Sequence, residues 1–166
     1  GGEKKRVSIA CGLLQNPRAM FLDEPTSGLD SATAQDVMQT LKQEVAGNGC
    51  PLVITIHQPS PKVYTLFDSL IILFRGRLAY FGAAGDAPVK CFGEQGFPYE
   101  TGFSTCEYLL DCLNQEARGE TDHSFTQAYH ESPQCKFNVD EARKALEAGP
   151  RKPEKQEPKK RPGRGE

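Results

Sequence analysis

The 166-residue sequence lacks several features that would place it directly in a class of protein. It has no apolar run near the roughly 20 residues that a membrane-spanning helix needs, since its longest run, residues 70–74, is closed by Asp68 and Arg75. Its six cysteines form no C-x-x-C pair, so neither a zinc site nor a disulfide framework is predicted, and the thiols are typical of a reducing compartment. The net charge of −2 predicts no attraction of the whole chain to nucleic acid.

Charge is distributed unevenly along the chain. Residues 151–166 hold seven Lys/Arg and three Glu, a local net charge of +4, whereas the remainder carries −6. A segment of Pro, Lys, Arg, Glu and Gly buries too little apolar surface to offset its ordering entropy. We therefore divide the chain into a folded part, residues 1–137, and a basic, Pro-rich tail, residues 138–166, that is expected to be disordered. Because the first residue is Gly1 and not Met, we expect a piece of a longer protein.

Apolar periodicity predicts helices and strands in alternation over the folded part. One face of the second helix should carry Val37, Met38, Leu41 and Val45, and the continuous β-branched strand after it is typical of burial on both faces. Glycine and proline mark the breaks between elements. The predicted helices are 2–15, 31–46, 61–67, 85–94, 105–113 and 125–131, and the predicted strands are 19–22, 52–56, 69–74 and 77–81, the last two forming a hairpin.

Strands alternating with helices predict an α/β fold with a parallel sheet, whose carboxyl edge holds the functional site. The first strand ends in Asp23 and Glu24, and the second ends at His57. An apolar strand followed by two acids resembles the Walker B motif of P-loop NTPases. Asp23 could hold Mg²⁺ through its water shell, and Glu24 could polarise a water for attack on a phosphate.

Further motifs in the same order resemble the ATP-binding-cassette (ABC) family. Gly1, Gly2 and Glu3 are similar to the end of its signature motif, and His57 is similar to its switch histidine. Residues 27–30 resemble its D-loop. The basic residues 4–6 and the stretches 56–60, 79–82 and 106–111 narrow the resemblance to the G subfamily, the White or eye-pigment type, over about residues 1–135.

The resemblance implies that two nucleotide-binding domains pack head to tail with ATP and Mg²⁺ between them. Glu24 would align the attacking water and His57 would donate a hydrogen bond to the γ-phosphate, so these two are the expected catalytic residues. Asp30 would lie at the seam between the domains. The other expected nucleotide-binding residues are Gly1, Gly2, Glu3, Asp23, Ser27, Gly28 and Gln58.

The implied protein couples ATP hydrolysis to the transport of lipid-like or small hydrophobic substrates, at the cytoplasmic face of a membrane. Its expected partners are a second nucleotide-binding domain, identical or different, and the transmembrane domain of the same transporter, with no nucleic acid. Two alternatives stay open. One is a soluble ABC ATPase, and the other is a half-domain that only pairs with another cassette and does not catalyse.

The sequence departs from the family in lacking G-x-x-x-x-G-K-[ST], and it contains no Gly-Lys pair. The fold is therefore expected to be a truncated P-loop NTPase-like parallel sheet without its Walker A half, and the isolated chain is expected to be inactive. The resemblance places the two acid- and histidine-bearing strands side by side, with Asp23, Glu24 and His57 in one cleft. Without the Walker A strand, the sheet should either have a gap beside the hairpin that exposes Val53, Ile54, Ile71 and Ile72, or close up in a non-native way.

Overall fold

The computed structural model of the chain describes residues 2–15 and 17–149. In that part of the chain, helices and strands alternate up to the hairpin, and the C-terminal elements are all helical. The helices and strands are α1 (Gly2–Leu14), β1 (Met20–Asp23), α2 (Ser31–Asn48), β2 (Leu52–Thr55), α3 (Pro61–Tyr64), β3 (Ser69–Phe74), β4 (Arg77–Ala83), α4 (Ala87–Glu94), α5 (Thr105–Arg118), α6 (Phe125–Glu131) and α7 (Pro133–Ala148).

Strands β1 and β2 pair in parallel, as predicted, with Met20 opposite Leu52 and Asp23 opposite Thr55. One side of this pair packs on α2, whose predicted apolar stripe is buried along its full length. On the other side, Phe21 is 75% exposed and Val53 is 47% exposed. The expectation that β2 is buried on both faces is therefore wrong within the described residues, because a second layer is needed to cover that side.

A second core lies between the β3–β4 hairpin and helices α4, α5 and α6. Phe92 and Phe125 are fully buried there, with their rings stacked 4.5 Å apart. The predicted inner face of α5 is confirmed, with Tyr108, Leu109 and Cys112 buried. The helix runs beyond the predicted end at residue 113, because its polar last turns continue to a left-handed Gly119, a common way for helices to end.

The two strand pairs remain separate sheets within the described part of the chain, so the expected gap between β2 and β3 is present. Val53 and Ile71 are exposed there as expected. Ile54 and Ile72, however, are half-buried because their side chains pack against the first and the second core respectively. The predicted exposure is thus wrong for these two.

Contacts around α3 join the two cores. The ammonium of Lys42 on α2 donates to the carbonyl of Leu66 (2.6 Å) and to the carboxylate of Asp68 (3.0 Å), just before β3. On α3, the hydroxyl of Tyr64 donates to the carbonyl of Gly85, which precedes α4 (3.0 Å). These bonds connect the parallel strand pair to the hairpin through side chains instead of a shared sheet.

Helix α7 corrects the expectation of a disordered tail from residue 138. The chain is helical as far as Ala148, and Ser132 begins the helix by accepting a hydrogen bond from the N–H of Cys135. The side-chain amide of Asn138 donates to the carbonyl of Phe81 and to the hydroxyl of Tyr129, which fixes α7 to the hairpin and to α6. The rest of the expected tail, 150–166, lies outside the described residues. None of the described helices is long and apolar enough to cross a membrane.

Candidate functional site

The carboxyl ends of β1 and β2 form one edge of the parallel pair, where Asp23 and Thr55 lie directly opposite each other. The hydroxyl of Thr55 donates to Oδ1 of Asp23. The N–H of Glu24 donates to both the carbonyl (3.1 Å) and the hydroxyl oxygen (3.0 Å) of Thr55. Asp23, the last residue of β1, and Glu24, the residue after it, are thus both held by one residue of the neighbouring strand.

Two non-glycine residues at this edge have a left-handed backbone conformation, namely Glu24 (φ 43°) and Gln58 (φ 45°). Such conformations are uncommon outside glycine and cost on the order of 1–3 kcal/mol each, and they cluster at functional sites. At Glu24 the conformation turns the chain away from the strand. The surrounding hydrogen bonds to Thr55 stabilise that turn.

The segment after Glu24 closes in two consecutive turns. The N–H of Ser27 donates to the carbonyl of Glu24, and that of Leu29 donates to the carbonyl of Thr26, both at 3.1 Å. Gly28 has φ 75°. Any residue with a side chain would be strained in this backbone conformation, although the space around Gly28 is open. The predicted D-loop is therefore a compact turn between β1 and α2.

A solvent-open cleft of about 420 Å³ lies at this edge. Glu24 and His57 both line it, which confirms that the structure brings these two predicted catalytic residues together. Ser27, Gly28 and Gln58 line the same cleft. Asp23 is not part of the lining, since its side chain is turned to Thr55. The expectation that all three of Asp23, Glu24 and His57 face one cleft is thus wrong for Asp23.

Asp30 lies outside the lining and caps α2. Its carboxylate accepts hydrogen bonds from the N–H groups of Ala32 (3.1 Å) and Thr33 (3.0 Å) and from the hydroxyl of Thr33 (2.6 Å). The Thr33 hydroxyl, followed by the Thr33 amide, holds the pKa of Asp30 below its usual value. A carboxylate that accepts hydrogen bonds from N–H groups at the start of a helix is a typical N-cap.

We expect Asp30→Ala to lower the thermal midpoint of the 166-residue chain at neutral pH. Folding lowers the pKa of Asp30. The stabilisation that its carboxylate gives to the folded chain is therefore fully present above pH 3.8, the ordinary pKa of an aspartate, and is lost as the pH falls further through the folded-state pKa. The difference in midpoint from wild type should therefore shrink below pH 3.8. Circular dichroism melts over a pH series measure it, with Asp36→Ala on the same helix as the matched control. If the difference in thermal midpoint between wild type and Asp30→Ala did not change with pH, the assignment of Asp30 as the N-cap of α2 would be contradicted.

The residues that resemble the signature motif, Gly1 to Glu3, are the first three of the chain. Gly1 lies outside the described residues, and Gly2 and Glu3 form the first turn of α1.

The Mg²⁺ assignment depends on one carboxylate. Within the part of the chain that the structure describes, no three His, Cys, Asp or Glu side chains are grouped as metal ligands. Asp23 is exposed at a strand end and already accepts a hydrogen bond. That arrangement fits Mg²⁺, which commonly keeps several waters and uses one or two carboxylates.

Thr55 is the residue of this site that sequence reasoning missed. The order of the motifs identified Asp23, Glu24 and His57 around it. A threonine within an apolar strand, however, matches no motif by itself. The available signal was register, because aligning the ends of two parallel strands places Thr55 beside the acids. Ser60 also lines the cleft, where it caps α3 by accepting from the N–H of Val63.

Comparison with known proteins identifies the family. Over 116 residues, 70% of this chain, the sequence is 49% identical to ABC transporter G family member 13 of Arabidopsis thaliana. It is 43% identical over 117 residues, also 70% of the chain, to the broad substrate specificity ATP-binding cassette transporter ABCG2 of Bos taurus. The chain belongs to the G family of ABC transporters. Within that family it is part of the nucleotide-binding domain, as its strand-end acids and His57 indicated.

The G-family chain spans 17% of the Arabidopsis relative and 18% of the bovine one. A third relative, ABC transporter G family member 22 of Dictyostelium discoideum, is 42% identical over 72% of this chain, which covers 20% of that protein. No family model matches the chain. Among solved structures, an ATP-binding cassette of an ABC transporter is similar with 28% identity and a TM-score of 0.46, covering 51% of this chain and 32% of that one.

Proposed function

We propose that this G-family segment supplies part of an ATP-hydrolysing site, and that the full-length protein couples hydrolysis to transmembrane transport. The observation that carries the proposal is the cleft at the carboxyl edge of β1 and β2, which Glu24 and His57 line together. Ligands of parallel sheets bind at this edge. A glutamate and a histidine that line the same open cleft are suited to proton transfer and to binding a phosphate.

Each residue at the edge has a distinct proposed task. Bound ATP with Mg²⁺ would supply the phosphoryl group that is transferred to water. Glu24 orients and polarises the attacking water, while His57 donates a hydrogen bond to the transferred group. Asp23 would be the residue that holds Mg²⁺, whose charge would help neutralise the phosphate groups. Ser27, Gly28 and Gln58 line the cleft around them.

The remaining residues belong to the proposed pairing with a second nucleotide-binding domain, identical or different. Gly2 and Glu3 lie in the first turn of α1, and the free N–H groups of helix N-termini bind anions. We propose that Gly1, Gly2 and Glu3 meet the γ-phosphate held by the opposite domain. Asp30, exposed at the start of α2, would lie at the seam.

The transport context follows from the relatives. Those cited above are named as transporters of the G family, and the bovine one is named for broad substrate specificity. We propose that this protein transports lipid-like or small hydrophobic substrates. The segment would act at the cytoplasmic face of the membrane, attached to the transmembrane domain of the same protein, with no role for nucleic acid.

The proposal predicts that ATP hydrolysis requires more than this chain. The full-length protein in detergent or nanodiscs should release phosphate from ATP in an Mg²⁺-dependent manner. The purified 166-residue chain should release none above background, because its sequence contains no phosphate-binding G-x-x-x-x-G-K-[ST] loop. A malachite-green assay compares the two directly.

The outcomes of that comparison separate the alternatives. A full-length protein that binds a second cassette but shows no phosphate release would favour the non-catalytic half-domain. An active full-length protein found in the soluble fraction would favour the soluble ABC ATPase. Steady phosphate release by the 166-residue chain itself, abolished by Glu24→Gln, would contradict the prediction of inactivity.

A further inference from the structure

The hydroxyl of Thr55 connects the two acids of the proposed ATPase site. A threonine hydroxyl has one hydrogen to donate and two lone pairs to accept with. Its hydrogen goes to Oδ1 of Asp23, and one lone pair receives the N–H of Glu24 at 3.0 Å. One side-chain oxygen on β2 therefore contacts the proposed metal-directed carboxylate and the backbone of the proposed water-orienting residue at the same time.

These contacts exceed what the fold alone requires. The amide of Glu24 already donates to the carbonyl of Thr55 at 3.1 Å, so it would be satisfied without the hydroxyl. Thr55 is exposed and does not belong to the core that forms between the strand pair and α2. A valine would suit the exposed end of a strand equally well. The hydroxyl thus contributes little to folding, and its contacts lie instead on functional groups.

We propose that Thr55 is a positioning residue for ATP hydrolysis. Its hydroxyl fixes the rotamer of Asp23 by binding one carboxylate oxygen, and it holds the left-handed backbone of Glu24, at φ 43°, in place. Through Asp23 it would orient the carboxylate that is proposed to hold Mg²⁺. Through Glu24 it holds the backbone from which the proposed catalytic carboxylate projects. The inference rests on the proposed function, because it assigns a role within that same site.

The test compares Thr55→Val with Thr55→Ser in the full-length protein. Valine keeps the shape and removes the hydroxyl, whereas serine keeps the hydroxyl and removes the methyl group. Hydrogen bonds to charged groups are the stronger ones, so Thr55→Val should lower kcat by about tenfold. It should also raise the Mg²⁺ concentration needed for half-maximal activity. Thr55→Ser should stay near wild type in both.

A second readout does not depend on turnover. Mn²⁺ can replace Mg²⁺ as an electron-paramagnetic-resonance probe, and its affinity in the presence of ATP reports how the metal site is ordered. We expect Thr55→Val to weaken Mn²⁺ binding several-fold and Thr55→Ser to leave it unchanged. Thr40→Val is the matched control, since Thr40 is an exposed threonine of α2 whose hydroxyl donates to the carbonyl of Asp36 in the same helix. Thermal melts should give similar midpoints for all four proteins.

Glu24→Gln, measured in the same preparations, separates this inference from the proposed function. If Glu24→Gln abolishes turnover while Thr55→Val is fully active with normal Mn²⁺ affinity, Thr55 has no positioning role and the proposed function stands. If Thr55→Ser impairs the enzyme as much as Thr55→Val does, retaining the hydroxyl does not preserve function, which also overturns the inference. If Glu24→Gln leaves turnover unchanged, the proposed function itself is wrong.

Discussion

Replacing Glu24 by glutamine in the full-length protein is expected to slow ATP turnover by about two to four orders of magnitude, the usual contribution of a general base. The amide has nearly the same shape as the carboxylate but cannot accept a proton from water. The backbone contacts of Glu24 with Thr55 and Ser27 involve main-chain atoms and should survive the change. Nucleotide binding should therefore persist while the chemical step fails.

Two measurements in parallel check this result. Phosphate release gives kcat, and equilibrium binding of a fluorescent ATP analogue gives the affinity. Glu44→Gln provides the matched control, since Glu44 is an exposed acid of α2 that does not line the cleft. A loss of nucleotide affinity equal to the loss of kcat, or a Glu44→Gln variant as slow as Glu24→Gln, would contradict a catalytic role for Glu24.

The second large effect concerns stability. Replacing Phe92 by alanine should lower the free energy of unfolding of the 166-residue chain by about 3–5 kcal/mol, the usual cost of removing a buried phenylalanine side chain. Phe92 is fully buried in the second core and stacks on Phe125 with ring centroids 4.5 Å apart. Because its neighbours come from the hairpin and from α4, α5 and α6, they cannot all move inward to fill the cavity.

Urea denaturation followed by circular dichroism measures this loss. Phe137→Ala on α7 is the matched control, because Phe137 is 60% exposed and its removal should change the stability by no more than about 0.5 kcal/mol. If Phe92→Ala proved as stable as Phe137→Ala, the second core would not be packed as described.

Apolar spacing predicted the local elements well, because each helix or strand can be identified from residues close together in the chain. The stripe on α2 and the inner face of α5 are both buried as predicted. The ends were less accurate, with β1 beginning at Met20 and β2 ending at Thr55, each one residue from the prediction. Helix α7 was missed because its sequence is polar and charged, and its attachment through Asn138 to Phe81 joins residues far apart in the chain.

The sequence by itself determined the order of elements as far as α6 and the motif that brings Glu24 and His57 to one edge, and its family resemblance placed β1 beside β2. The elements follow from short-range patterns, and the common edge follows from the rule that parallel strands present their carboxyl ends on one side, whereas the pairing itself was implied by the resemblance. Only the tertiary structure showed that Asp23 turns to Thr55 and that Asp30 caps α2. It also separated Ile54 and Ile72, which pack on two cores, from Val53 and Ile71, which remain exposed. The physical reason is register: the hydrogen bond between Thr55 and Asp23 joins residues 32 positions apart and exists only when two strands align.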